Sequence, residues 1–537
     1  KYFASKRILK IGHNLKFDAQ VLKKHGIIMN NIYDTMVASM VVSTGLDEKH
    51  SLAECSLRYL DINIDSNQLN LFLPATSKAT RNTFSNILYE DYTAEQVIYG
   101  AKDVEITCLL KHAINNVVER EKLSKVLALE NKFVLVLADM ETAGTPINVT
   151  KWMNLISKAE DKAIELEEEL NGLISEFSDP INWNSSKQVV KVFKHLGIPT
   201  QIVDKKSKNS EITFKDSVGA SAIKKYAMKF PIIAIYIRYK EYRKLYTSYG
   251  AKFLAKINPV THRIHSNFIQ ILNTSRTASS NPNLQQLPRD KEYRECIEAK
   301  DGRTFIICDY SGQELHVVAH LSKDENMLNI LRNKGDLHKA TAAALYNISV
   351  EEVTKEQRQD GKTANFTIVY GGGAEKLAEV FGVPMSQARQ MIERVFAMFP
   401  KLKPFQERSA QRTMENGFVT VDFLGRRSYI RDFNIFLEFK RMNNILGKNA
   451  PIEANIKTWV AKLRRLSANY PIQGSSAGMS KLAGIYLREY LLNNPGAFSI
   501  ILLVHDEWVI ECDIDKAEEA KKVLEECMSK AADYFCS

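Results

Sequence analysis

A chain of 537 residues and 61.0 kDa exceeds what one hydrophobic core ordinarily serves, and its 45% hydrophobic and 25% charged residues exclude a disordered, collagen-like or membrane-embedded protein. Seven cysteines, none in a C-x-x-C pair, exclude a disulfide framework or a Cys-based zinc site and point to a reducing compartment. The net charge of +10 is modest for this length, so its distribution is more informative than its size.

The opening residues, Ile8 to Ile11 followed by Gly12-His13-Asn14, read as the interior of a domain, which implies natural sequence, and any targeting peptide, upstream of Lys1. Residues 1–118 alternate short strands and helices. Helix predominates from Lys122, so a domain boundary is expected between the two. Thr150 is the expected N-cap of a helix running to about Phe177. Between Ser221 and His265 ten Lys or Arg residues face the single acid Glu241, either as a solvated helix surface or as a phosphate-binding one. In the same segment Ile232, Ile235, Tyr239, Tyr242, Tyr246, Tyr249 and Phe253 recur at spacings of 3 and 4. One long helix fits that pattern, its tyrosines packing on a neighbouring helix rather than stacking on bases, and its cations facing outward. Further on, Thr304 to Cys308 reads as a buried strand ending at Asp309, and Asp324 to about Asn416 as a long helical region. The apolar runs Ser499 to Val504 and Trp508 to Cys512 flank His505-Asp506-Glu507 with room only for a tight hairpin. No apolar run approaches the roughly 18 residues of a membrane-spanning helix, so a soluble protein is expected.

Asp309 and Asp506 occupy a strand end and a hairpin turn, positions from which side chains project to fixed points. Two-metal phosphoryl transfer to a 3′ hydroxyl needs carboxylates held in this way, although a lone Asp at a strand end is more often a turn former. Context comes from Arg358, Lys362, Phe366 and Tyr370, spaced by four and followed by Gly371. Thr354-Lys355-Glu356-Gln357 is a capping-box sequence, so a helix is expected from Thr354 with these four residues along one stripe about 18 Å long. Such a stripe can lie along a nucleoside triphosphate, cations on the phosphates and rings against sugar and base. An ordinary amphipathic helix with two exposed cations explains the rings equally well but leaves the other motifs unaccounted for.

Taken together the motifs resemble DNA polymerase family A, the group of bacterial polymerase I and the phage and organellar replicases. Asp309-Tyr310-Ser311-Gly312-Gln313-Glu314-Leu315, the stretch from Arg358 to Gly371, Val504-His505-Asp506-Glu507, Thr274-Ser275-Arg276 with Asn281-Pro282-Asn283-Leu284-Gln285, and Asn469-Tyr470-Pro471-Ile472-Gln473-Gly474 follow the family's order. The resemblance implies an α+β fold: a right-hand polymerase of thumb, palm and fingers preceded by a partial ribonuclease H-like 3′–5′ exonuclease domain. The exonuclease would occupy 1–118, the thumb 119–250, the palm 251–310 and 421–537, and the fingers 311–420.

It implies template-directed DNA synthesis from dNTPs on primer–template DNA, with two Mg2+ ions, Mn2+ as a substitute, and replication accessory proteins as further partners. Asp309 and Asp506 would hold the metals, with Glu507 beside them and the Tyr310 backbone carbonyl assisting. Arg358, Lys362 and His338 would grip the phosphates, Lys362 also serving catalysis, and Phe366, Tyr370, Glu314 and Gln313 would complete the dNTP site. Arg276, Arg426, Asn469, Gln473 and His505 would contact primer and template near the growing end, and Lys240, Arg243 and Lys244 would clamp the duplex backbone. At the front, Asn14-Leu15-Lys16-Phe17-Asp18 and Tyr99-Gly100-Ala101-Lys102-Asp103 resemble the second and third motifs of the proofreading exonuclease; the first, the D-x-E of the opening strand, is expected upstream of Lys1.

The chain departs from the pattern at Gly312, Gln313 and His316, where the family usually has Gln, Ile and Arg, and at Ser275, where it usually has Gly. The Asn, Lys and Ile richness of the variable segments, with these motif variants, resembles the apicoplast replicative polymerases of malaria parasites and implies an organellar setting. A single-subunit RNA polymerase is the nearest rival. Glu314, placed to block a ribose 2′ hydroxyl, and Phe366, where those enzymes carry Tyr, argue against it. A non-catalytic DNA-binding subunit would be expected to have lost one of Asp309, Asp506, Arg358 or Lys362.

Overall fold

The computed structural model describes residues 1–64, 91–177, 179–203, 214–288, 290–446 and 452–536. They form two compact units, one of Lys1–Ala143, Asn267–Ser280 and Gly302–Ser537, the other of Gly144–Ser266 and Asn281–Asp301.

In the larger unit the strands Lys10–Gly12 and Ile32–Asp34 pair in parallel across the helix Leu15–Lys24. The helix Ala94–Arg120 opens with a capping box between Thr93 and Gln96, which satisfies two of the backbone N–H groups that a helix start leaves over. The next helix, Ser124–Ala143, buries residues on every face, among them Val126, Phe133, Val136 and Leu137. A helix apolar all round has to be enclosed. It packs against Leu15–Lys24, Thr35–Ser43, the long helix Ile452–Asn493 and the strand Ser499–Val504. Residues on both sides of the boundary expected near residue 118 therefore fall in this one compact unit, whose first segment runs to Ala143.

The sheet that follows has the order Ser499–Val504, Glu507–Asp513, Arg303–Cys308, antiparallel throughout. Pairing of Val504 with Glu507 leaves His505 and Asp506 as a two-residue turn, with His505 in the left-handed region at φ 58°. Arg303–Cys308 is an edge strand with Ile307 56% exposed, a correction to the buried strand expected from its apolar run. Six helices fill the region expected to be helical, Glu325–Arg332, Leu337–Tyr346, Lys355–Val369, Ala374–Phe381, Met385–Met398 and Leu402–Asn416.

In the smaller unit Val149–Gly172 packs along Pro231–Tyr249. Asn148, not Thr150, caps the first of these by accepting from Lys151 N–H, and the helix stops at Gly172, short of Phe177. The second ends at Gly250, so Phe253 lies on a separate short helix, Ala251–Leu254, stacked on Trp152 at 4.7 Å. Ile232, Ile233, Tyr236 and Tyr239 form the buried seam. Of the seam expected from the spacing, Ile232 and Tyr239 are buried on this helix, whereas Ile235, Tyr242, Tyr246 and Tyr249 are only half-buried and Ile233 and Tyr236 take the remaining buried positions. Lys240 and Lys244 are exposed, whereas Arg243 donates to the Tyr246 hydroxyl at 2.6 Å and Arg263 is buried with its guanidinium on Gly144 O.

Candidate active site

Trp508 pairs with Cys308, so Asp309, one residue past the edge strand, comes up beside Asp506 and Glu507 at the hairpin turn. Burial, then the charge of neighbouring Asp309, pushes Asp506 up to about 6, with Glu314 adding to the effect. Like charges this close call for a cation between them. No group of three His, Cys, Asp or Glu side chains that could hold a metal occurs among the described residues. The oxygen donors brought together at this turn are the carboxylates of Asp309 and Asp506, with Glu507 adjacent. Such a set suits a hard divalent ion that takes its remaining oxygens from substrate and water. The Tyr310 side chain points away, its hydroxyl donating to Met528 O at 2.8 Å, while His505 is exposed at the turn.

Lys355–Val369 begins with the predicted capping box between Thr354 and Gln357. Arg358 Nε donates to Asp336 Oδ2 at 2.5 Å, Lys362 is exposed, and the Phe366 ring lies 5.8 Å from Tyr370 and 6.0 Å from His338. His338 comes from the neighbouring helix Leu337–Tyr346, held where Asn365 Nδ2 donates to its Nδ1 at 3.1 Å. Gly361 makes this proximity feasible: a Cβ there would come within 2.1 Å of His338 O. Tyr370 donates its hydroxyl to Glu314, whose other oxygen accepts from Arg276 Nη2 at 2.5 Å. Burial raises the Glu314 carboxyl above its ordinary range, opposed by Arg276. Because Glu314 also acts on Asp506, the aspartates, Glu314, Arg276 and the aromatic end of the stripe form one connected cluster.

Two expected contacts lie elsewhere. Gln313, expected at the nucleotide, is buried and donates to Ser476 O at 3.2 Å, because the first turn of the helix Gln313–Ser322 packs on the helix Ile452–Asn493. Arg426, expected on DNA, is fully buried between Glu130 and Asp422, with Lys481 beside them, and has no surface to offer a nucleic acid. Asn469 and Gln473, one turn apart on Ile452–Asn493, are half-buried, and Asn469 Oδ1 is buried without a hydrogen-bond partner. Motif reading passed over Asn365, Gly361 and Asp336, and the only sequence signal for them was position: two inside the stripe and one at a helix start.

At the front Asn14, at φ 65°, precedes the helix carrying Asp18, and Tyr99 and Asp103 lie one turn apart on Ala94–Arg120. A residue missed by motif reading, Asp34, organises this end. It is 1% exposed and accepts from the backbone N–H groups of Asn14, Leu15, Met36 and Val37.

With this geometry in hand, comparison with known proteins gives a consistent picture. A model of DNA polymerase family A matches residues 150–535, and a 3′–5′ exonuclease model matches residues 1–119. DNA polymerase I of Treponema pallidum is 30% identical over 524 residues, covering 95% of this chain and 48% of that protein. For DNA polymerase I of Pseudomonas aeruginosa the figures are 29% over 536 residues, 98% and 54%. The chain thus spans about half the length of the curated relatives it matches. A solved structure described as the POL domain of Pol1 from M. smegmatis in complex with DNA primer-template and dNTP aligns over 99% of this chain and 84% of its own, with a TM-score of 0.80 and 24% identity, a likeness of fold. No helix among the described residues is long and apolar enough to cross a membrane.

Proposed function

The chain belongs to DNA polymerase family A, and on that premise we propose that it extends a DNA primer along a template by metal-assisted nucleotidyl transfer from dNTPs. The observation that carries the reading is the uncompensated carboxylate pair Asp309–Asp506, linked through Glu314 to Tyr370 and Arg276.

In this reading Asp309 and Asp506, with Glu507 and the Tyr310 carbonyl nearby, hold two divalent ions. Bound there, Mg2+ or its substitute Mn2+ supplies the positive charge that sharpens a primer 3′ hydroxyl and stabilises departing pyrophosphate. Arg358, Lys362 and His338 neutralise and orient the triphosphate, and Phe366 lies against the sugar. Tyr370 sits at the base, and Glu314 fills the space that a ribose 2′ hydroxyl would need. Asn469, through its unpartnered Oδ1, Gln473, His505 and Arg276 contact the nucleic acid near the primer end. Lys240, Arg243 and Lys244 meet phosphates of the duplex. Primer extension on a primed template with Mg2+, comparing the wild type with Asp309→Ala, tests the assignment; equal extension by both would overturn it.

Asn14, Asp18, Tyr99 and Asp103 supply part of a second, hydrolytic site for proofreading, tested by excision of a mismatched 3′ nucleotide. Accessory replication proteins and an apicoplast setting complete the proposal. The setting rests on the Asn-, Lys- and Ile-rich variable segments, and imaging of the tagged protein against an organelle marker tests it.

A further inference from the structure

Four ionised side chains are buried together in the compact unit that also carries the carboxylate pair. Glu130 is 0% exposed, Arg426 0%, Lys481 1% and Asp422 4%. Glu130 accepts from Lys481 Nζ at 2.6 Å and from Arg426 Nη2 at 2.5 Å, and Arg426 Nε reaches Asp422 Oδ2 at 3.1 Å. Two negative and two positive groups balance in charge, while Arg426 Nη1 is buried without a hydrogen-bond partner.

The cluster also has a handle on the turn that carries Arg276. Gln270, 7% exposed at the start of that turn, donates its side-chain amide to both the carboxylate and the backbone carbonyl of Glu130, at 2.6 and 2.8 Å. Ser275, fully buried at the other end, lies with its hydroxyl 3.5 Å from Lys481 Nζ. Its φ of 66° puts a non-glycine residue in the left-handed region, a conformation that surrounding contacts must hold. Within the turn Ser275 N–H donates to Leu272 O and Leu272 N–H to Arg276 O. The next side chain, Arg276, emerges to meet Glu314.

We propose that Glu130 and Lys481, acting through Gln270 and Ser275, are positioning residues for Arg276, fixing the turn at both ends so that its guanidinium is held against Glu314. This rests on the polymerase reading for its effect on catalysis, but the mechanical link stands on the contacts alone. Arg426 and Asp422 complete the charge balance that keeps Glu130 and Lys481 ionised in the interior.

The test uses Gln270→Ala and Ser275→Ala, which remove the two side-chain contacts to the cluster while leaving all four charges in place, each alone and combined with Arg276→Ala. Single-nucleotide extension should lose about tenfold or more in kcat with each tether variant, with little change in KM for dNTP, since a displaced guanidinium disturbs alignment more than nucleotide binding. In the Arg276→Ala background the same changes should cost nothing further. Urea unfolding of the same set should show non-additivity between Gln270 and Arg276, a readout that needs no activity. If the wild type fails to extend a primer while the unfolding cycle stays non-additive, the polymerase reading falls and the tether stands. Tether variants with wild-type kcat, or deficits that multiply with Arg276→Ala together with an additive unfolding cycle, would overturn the proposal.

Discussion

Charge is handled in opposite ways at two places in the larger unit. Around Glu130 burial works to raise the carboxyl, but Lys481 and Arg426 outweigh it and hold it below its ordinary range. At Asp506 burial works in the same direction, and the nearest charges, Asp309 and Glu314, reinforce it instead of opposing it. Desolvation is common to both, so the difference lies in the sign of the neighbours. A buried charge answered from within the chain specifies the fold. One answered by like charge marks where a cation from outside belongs.

The sharpest way to break this contrast is to remove carboxylates from the second group. Asp309→Ala or Asp506→Ala should lower primer extension by about a thousandfold or more, equivalent to several kcal/mol of lost charge stabilisation. Primer–template affinity, followed by fluorescence anisotropy, should stay nearly unchanged, and substantial residual extension in either variant would return these residues to the role of turn formers. In the balanced group, Glu130→Gln strands two buried cations and should cost about 3–5 kcal/mol in urea unfolding. Replacing Glu130 and Lys481 together by Leu and Met should cost less than the sum of the single changes, and a fully additive pair would mean that the two do not share a charge balance.

Exposed charge offers an intermediate case. Neutralising Lys240, Arg243 and Lys244 together should reduce the slope of log affinity for primer–template against log salt by about 2 to 3, close to one for each phosphate left without its cation. Arg243, already engaged by Tyr246, is the one whose share should be smallest.

The smallest effect is on stability at the Asp309–Asp506 pair. Burial and the charge of Asp309 push Asp506 up to about 6 from its ordinary 3.8, so between the two values the folded protein retains a proton that the unfolded chain has released, and stability declines as pH rises across that window. Asp506→Asn should therefore raise the melting temperature in EDTA at pH 7 by about 2 °C, allowing for partial solvent screening, and lose that advantage below about pH 4. Added Mg2+ should stabilise the wild type and not the variant. A lower melting temperature for Asp506→Asn in EDTA would show that the pair is not mutually repulsive.

What could be read from residues alone follows the range of the interactions. The Asp506 turn was legible because two apolar runs left room for only a short connection, and the Arg358–Tyr370 stripe because its members are spaced by a helical turn. The five-motif order gave the family. The fate of Arg426 was not legible, since Glu130 lies 296 positions away in the chain and only folding brings them together. A clue existed in Lys481, a lone cation among small and apolar residues, and in Glu130 within the run from Val126 to Leu137; both depart from the apolar pattern of a buried helix. Gln313 was misplaced because a helix start offers two faces to its first residues and sequence does not say which meets the neighbouring helix. The edge position of Arg303–Cys308 escaped for a similar reason: an apolar run reports composition, not the number of its neighbours.

Arg358 does not wait with a bare guanidinium; Asp336 already occupies it. An anion arriving at that end of the helix therefore enters an exchange, in which it must offer more than the single carboxylate it displaces. A triphosphate, with several charges and a second cation at Lys362, meets that condition, whereas a singly charged anion gains little by the swap. Under the proposed function the same carboxylate would be on hand to recapture the guanidinium when the anion leaves, so the contact would favour polyphosphates over singly charged anions.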